Sequence, residues 1–121
     1  MPLRVLIVDD HVGFRGFARR LLAALGMDVV GEVGDGLAAL AEVARVRPDV
    51  VLLDVLLPDL DGFEVARRLA RAERPPLVVL TSSRTAEDFG ERLDGAAITA
   101  FIAKDDLSGA ALAGALGEAA R

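Results

Sequence analysis

Short apolar runs alternate with longer segments of helical periodicity along the chain, and this alternation constrains the fold more than any other feature. The apolar runs predict five strands, at residues 4–8, 29–33, 50–53, 77–80 and 100–103. Between them, leucine, alanine and phenylalanine recur every three or four residues, the spacing of one helix face. We therefore predict five strands and five helices in strict alternation.

Two of the predicted helices have unusual compositions. The fourth, Thr85–Leu93, is expected to be short and weak and contains Gly90. The fifth is expected to begin near Leu107 and to include the Ala-rich tail Ala110–Ala120, whose leucines keep helical spacing.

Strands that are apolar throughout, such as Val50–Leu53, are typical of parallel sheets buried on both faces. The helical crossovers then cover both sides of the sheet. The expected fold class is α/β, a doubly wound (βα)5 domain with a five-stranded parallel sheet of the flavodoxin-like type. A chain of 121 residues has room for one such domain.

Composition excludes several classes of function. The chain has no cysteine, so disulfides, thiolate metal sites and cysteine nucleophiles are excluded. A net charge of −5, with five phenylalanines as the sole aromatics, is unlike a nucleic-acid surface. Apolar runs of about five or six residues are much shorter than a membrane helix requires, and the N-terminal segment lacks a signal-peptide pattern. We expect a cytoplasmic domain without membrane contact.

Polar residues follow the predicted strands where doubly wound sheets bind their ligands, beyond the carboxyl ends of the strands. Four strands end in such groups: Asp9 with Asp10, Asp54, Thr81 with Ser82 and Ser83, and Lys104, the single lysine of the chain. Three carboxylates placed together repel one another unless a cation offsets them, and Mg²⁺ suits such oxygen ligands best. The set predicts an aspartate nucleophile directed at a phosphoryl group, with metal and lysine neutralising charge.

Each of these residues also has an ordinary explanation. Paired aspartates often cap a helix or form a turn, and most lysines are solvated. Their joint placement at four strand ends is what favours a site. The lone histidine, His11, could be a ligand or a base, but we expect it to cap the first helix or to pack near the acidic residues.

The segments that carry these residues resemble the receiver domain of two-component response regulators. They are Ile7-Val8-Asp9-Asp10-His11, Leu52-Leu53-Asp54, Leu57-Pro58 with Asp61-Gly62, Leu80-Thr81 and Phe101-Ile102-Ala103-Lys104. The resemblance covers essentially the whole chain. His11, and Asp105 in place of a proline after Lys104, make it most similar to the NarL-like subfamily. It implies a receiver over residues 1–121, with no output domain in this chain.

The resemblance also implies roles for the site residues. Asp54 would be the phosphoacceptor and would bind Mg²⁺ directly with Asp10 and the backbone carbonyl of Leu56. Asp9 would act mainly through a metal-bound water. Lys104 would pair with the acceptor carboxylate or its phosphoryl group.

Thr81 and Phe101 would form the switch, the hydroxyl moving onto the phosphoryl group and the ring turning inward behind it. A sensor histidine kinase would be the partner. A homodimer would use the fourth helix, the fifth strand and the fifth helix, and DNA would be reached only through an output domain. Such a receiver catalyses its own phosphorylation and dephosphorylation and is not a turnover enzyme.

Three residues depart from the common receiver pattern. Ser82 stands where alanine is usual and is expected to narrow access to the phosphoryl pocket, and Ala100 replaces a frequent glycine. Leu56 is bulky and apolar, so we expect it to hinder attacking water and to lengthen the life of the phosphoryl group.

Two other functions stay open. A Mg²⁺-dependent phosphatase or phosphotransferase with an aspartyl phosphate typically carries Asp-x-Asp after its first strand, whereas Asp54 follows the third. An interaction or dimerisation module of the same fold, working without phosphorylation, is kept open by Ser82 and by the irregular segment Gly95–Thr99.

Overall fold

The computed structural model describes residues 2–117. The strands are β1 (Arg4–Val8), β2 (Asp28–Val33), β3 (Val50–Asp54), β4 (Leu77–Ser82) and β5 (Ala100–Ala103). The helices are α1 (Val12–Ala24), α2 (Gly36–Val46), α3 (Gly62–Leu69), α4 (Ala86–Phe89), α5 (Glu91–Asp94) and α6 (Gly109–Leu116), with a 3-10 turn at Lys104–Asp106. Within these residues no helix is long and apolar enough to cross a membrane.

The five strands form one parallel sheet in the order β2-β1-β3-β4-β5. Successive residues of a strand point to opposite faces, so each central strand contributes to two cores. Leu6 and Val8 pack on the side of α2 and α3, whereas Val5 and Ile7 pack on the side of α1 and α6. The predicted doubly wound α/β fold is confirmed.

The predicted fourth helix is wrong as a single element. It is divided at Gly90, whose φ of 53° and ψ of −127° interrupt the helical path between α4 and α5. Glycine adopts a positive φ without the steric cost that other residues carry. Thr85 precedes α4 and forms a reciprocal capping box with Asp88. The described residues therefore contain six α-helices where five were predicted.

Two other predicted boundaries are also wrong. Strand β4 does not end at Leu80, because Thr81 pairs with Asp54 of β3 and Ser82 pairs with the last residue of β5. Leu107 is buried but lies before α6, whose first turn is capped by the Ser108 hydroxyl accepting the Ala111 N–H. The part of the predicted tail helix after residue 117 lies outside the described residues.

Candidate functional site

Asp9 and Lys104 form an ion pair at the carboxyl edge of the sheet. Asp9 follows β1 and is fully buried, and its N–H donates to the carbonyl of Val33 at 3.1 Å. The Lys104 Nζ lies 2.6 Å from Oδ2 of Asp9 and 3.6 Å from Oδ2 of Asp54, although the shorter contact lacks hydrogen-bond geometry. The lysine thus lies between two carboxylates and closer to Asp9.

The ring of Phe14 supports this lysine. The Lys104 Nζ lies 4.3 Å from the centroid of the Phe14 ring, within the range of a cation–π contact. Phe14 also packs against the core on the α1 side of the sheet, and its contact with the lysine was not predicted from the sequence. Its position in the first turn of α1, just after the acidic pair, was the available signal.

Asp54 is the last residue of β3 and is 3% exposed. Its Oδ1 accepts a 3.4 Å hydrogen bond from the N–H of Leu56. Burial and the neighbouring Asp9 carboxylate raise the pKa of Asp54 to about 6, although Lys104 and the Leu56 N–H oppose the shift and Asp10 adds to it. A raised carboxyl pKa in a cluster of charged groups indicates a functional site.

Thr81 supplies an unpartnered hydroxyl beside Asp54 in the sheet. It is 1% exposed, and its Oγ1 makes no hydrogen bond to any described residue. The neighbouring Ser82 is also buried, but its Oγ accepts the N–H of Arg84 at 3.1 Å. A buried polar group without a partner is costly, so the Thr81 hydroxyl is placed for a ligand oxygen.

The acidic residues form a cluster of metal-binding size. Ligand atoms of Asp9, Asp10, His11 and Asp54 all lie within 4.8 Å of one another. The backbone of Leu56 follows Asp54 in the adjoining loop, and its side chain is half-exposed. Carboxylate oxygens suit a hard cation such as Mg²⁺, so the donor set fits this ion.

His11 is at the N-cap position of α1, but its side chain makes no capping hydrogen bond. Its ring instead packs against the acidic pair, with Nδ1 3.2 Å from Oδ1 of Asp9 and 3.1 Å from Oδ1 of Asp10. Of the two expectations for His11, the second is therefore confirmed.

Phe101 belongs to a row of three aromatic rings, packed edge to face, between β5 and α3. Its ring centroid is 5.6 Å from that of Phe89, which is 5.7 Å from that of Phe63. Arg92 lies over Phe63, 4.2 Å from the ring centroid, and pairs with the carboxylate of Asp61. Phe101 is thus packed through Phe89 to the helix that follows the Asp54 loop.

Two contacts that sequence reasoning missed hold the loop after β3. The Asp59 carboxylate accepts the N–H groups of Gly36 at 2.7 Å and Leu37 at 2.9 Å, at the start of α2. The Gly62 N–H donates to the Val55 carbonyl at 2.7 Å. A Cβ at Gly62 would lie 2.4 Å from the Asp54 carbonyl oxygen, so this close approach requires glycine.

A family model of the response regulator receiver domain matches residues 5–112. The chain belongs to this family. The receiver is 34% identical to the signal receiver domain of the putative response regulator NarL from Mycobacterium tuberculosis, with a TM-score of 0.82 over 97% of this chain and 98% of that one.

Curated relatives of the receiver are longer proteins of several kinds. Protein-glutamate methylesterase/protein-glutamine glutaminase 5 of Myxococcus xanthus is 48% identical over 83 residues, which are 68% of this chain and 24% of that protein. The transcriptional regulatory protein PdtaR of M. tuberculosis is 36% identical over 104 residues, 86% of this chain and 50% of that protein. The chain spans about a quarter of the methylesterases it matches. These matches show the receiver family and do not single out the NarL-like subfamily.

Proposed function

We propose that this receiver accepts a phosphoryl group on Asp54 in the presence of Mg²⁺. The proposal rests on three groups at one edge of the sheet. They are the buried carboxylate of Asp54, the ammonium of Lys104 and the buried, unpartnered hydroxyl of Thr81. Each group corresponds to one requirement of phosphoryl transfer: a nucleophile, a counter-charge and a hydrogen-bond donor.

In the reaction, a carboxylate oxygen of Asp54 attacks phosphorus while the bond from phosphorus to the donor breaks. Lys104, already within 3.6 Å of this carboxylate, offsets the charge gained on the phosphoryl oxygens. The Thr81 hydroxyl donates to one of those oxygens and thereby gains the partner it lacks. Its backbone is paired with Asp54 in the sheet, which keeps the two residues adjacent.

Bound Mg²⁺ supplies charge neutralisation and orients the phosphoryl oxygens. We assign direct ligation to Asp10, Asp54 and the Leu56 carbonyl. The protein already engages both oxygens of Asp9: Oδ1 accepts the N–H of His11, and Oδ2 forms an ion pair with Lys104 at 2.6 Å that lacks hydrogen-bond geometry. Asp9 therefore suits indirect ligation, through a metal-bound water.

The signal would pass through Thr81 to Phe101 and the edge-to-face rings of Phe89 and Phe63 behind it. The partner is a sensor histidine kinase, and a homodimer would use α4, α5, β5 and α6. The receiver loses the phosphoryl group by hydrolysis and is not a turnover enzyme.

We also propose that the receiver belongs to the NarL-like subfamily, that it is cytoplasmic, and that it reaches DNA through a separate output domain. His11 after the acidic pair and the 34% identity to the NarL receiver support the subfamily.

The test is intact-mass measurement after incubation with acetyl phosphate and Mg²⁺. We expect one labile phosphoryl adduct, absent in Asp54→Asn and absent when EDTA removes the metal. Asp28→Asn is the matched control, because this exposed aspartate begins β2 at the opposite edge of the sheet and should leave labelling intact. No adduct with any phosphodonor would refute the proposal and favour a module that works without phosphorylation.

A further inference from the structure

The first turn of α2 is capped by two carboxylates that come from different parts of the chain. Asp35, at the N-cap position, accepts the N–H of Ala38 at 2.7 Å, which is the usual way to begin a helix. Asp59, in the loop between β3 and α3, accepts the N–H groups of Gly36 at 2.7 Å and Leu37 at 2.9 Å. Because Asp59 lies more than 20 residues away, its hydrogen bonds also fasten the loop that carries it to α2.

This loop is closed at its base and anchored at its tip. The Gly62 N–H donates to the Val55 carbonyl at 2.7 Å, which joins the two ends of the segment. At the tip, Asp59 also accepts the N–H of Leu60 at 2.8 Å. A Cβ on Gly36 would lie 2.9 Å from Cβ of Leu60 and 3.2 Å from Oδ1 of Asp59, so the loop and the start of α2 meet without a gap.

The anchored loop carries the backbone that faces the acceptor carboxylate. Leu56 lies between the base and the tip, and its N–H donates to Oδ1 of Asp54 at 3.4 Å. Its carbonyl is the backbone ligand assigned to Mg²⁺ in the proposed function. Residues 55–61 form no helix or strand, so the position of Leu56 depends on the contacts that hold the loop. Displacing a group of a reactive site by about 1 Å can lower a rate by about a hundredfold.

We propose that Asp59 is a positioning residue for phosphoryl acceptance, because it ties the loop to the start of α2 and thereby holds Leu56 beside Asp54. This role rests on the proposed function. It makes the site dependent on α2, a helix that supplies none of the site residues named above. Asp35 offers a matched comparison, since it caps the same helix turn but does not belong to the loop.

Hydrogen exchange of the metal-free chain tests the anchoring without a phosphodonor. In Asp59→Ala, exchange of the Gly62 N–H should accelerate by about tenfold, because releasing the tip of the loop lets its base open. Asp35→Ala should accelerate exchange at Ala38 and leave Gly62 unchanged. The amides of β1 report global unfolding and correct for any loss of stability. Unmoved exchange at Gly62 in Asp59→Ala, or equal acceleration in the two variants, would overturn the inference.

Labelling of Asp54 by acetyl phosphate measures the consequence for the site. Asp59→Ala should raise the Mg²⁺ concentration that gives half the maximal labelling rate by about tenfold, and Asp59→Asn, which keeps one acceptor oxygen, should raise it less. Asp35→Ala should not move it, since a cap that only stabilises the fold does not act on the loop. The proposed function fails if the unmodified chain takes no label. The positioning role fails, in contrast, if the label forms and Asp59→Ala behaves as Asp35→Ala does.

Discussion

Replacing Asp54 by asparagine should stabilise the fold at neutral and alkaline pH. The carboxyl is 3% exposed and lies near Asp9, and its pKa is raised to about 6 from an ordinary value of 3.8. The folded state therefore binds this proton more tightly than the unfolded state, and ionising the group costs folding free energy. Asparagine has a similar shape and carries no charge.

The magnitude follows from the size of the shift. A difference of about two pH units corresponds to about 3 kcal/mol. Because the pKa is higher in the folded state, the free energy of unfolding falls as pH rises from about 4 to about 6 and then levels. At pH 8 the free energy of unfolding of Asp54→Asn should be up to about 3 kcal/mol higher than that of the unmodified chain, and this difference should shrink toward zero near pH 4.

Urea denaturation in EDTA at several pH values measures this difference in the free energy of unfolding. Asp28→Asn is the control, because it removes the same charge from an exposed position. Added Mg²⁺ should stabilise the unmodified chain more than Asp54→Asn, since a ligand that binds the folded state raises its stability. The reasoning fails if Asp54→Asn is no more stable at pH 8, or if its advantage is the same at every pH.

Three further substitutions test other contacts. Gly62→Ala should lower the free energy of unfolding by about 1–3 kcal/mol, measured by urea denaturation, because the added Cβ would clash with the Asp54 carbonyl. Gly114→Ala is the control: its Cβ meets no atom within 4 Å, and it should raise the free energy of unfolding by up to about 1 kcal/mol. Equal changes in the two variants would contradict the prediction. Phe14→Leu keeps an apolar side chain but removes the ring beneath Lys104, and should slow Asp54 labelling by about tenfold; an unchanged rate would count against the contact. Leu56→Asn should shorten the life of the phosphoryl group, and equal autodephosphorylation rates would show that Leu56 does not hinder water.

The strands were predictable because their signal is local. Val50–Leu53 is apolar throughout, and the structure buries it on both faces. The break at Gly90 was not predictable, because a glycine inside a helix is tolerated at a cost of about 1 kcal/mol. Phe89 and Leu93 are four residues apart and pack against the same core, as they would in a continuous helix. The backbone angles alone distinguish the two arrangements.

The convergence of the polar residues was predictable because the carboxyl ends of parallel strands share one edge. Their detailed pairing depends on side-chain and loop geometry, which periodicity does not report. The sequence alone could not show that Lys104 lies closer to Asp9 than to Asp54. It likewise could not show that Asp59 bonds to backbone groups of α2, more than 20 residues earlier in the chain.

The position of Lys104 after the last strand has a consequence for how the domain assembles as it is synthesised. Asp9 follows β1 and Asp54 ends the neighbouring strand β3, so their carboxylates can meet once the first half of the chain has folded. The ammonium that lies between them is made some 50 residues later, with the four-residue edge strand β5. When this short strand docks, it gains its backbone hydrogen bonds and also brings Lys104 between the two carboxylates, which reduces their mutual repulsion. The charged site thereby helps to stabilise the edge strand of the sheet.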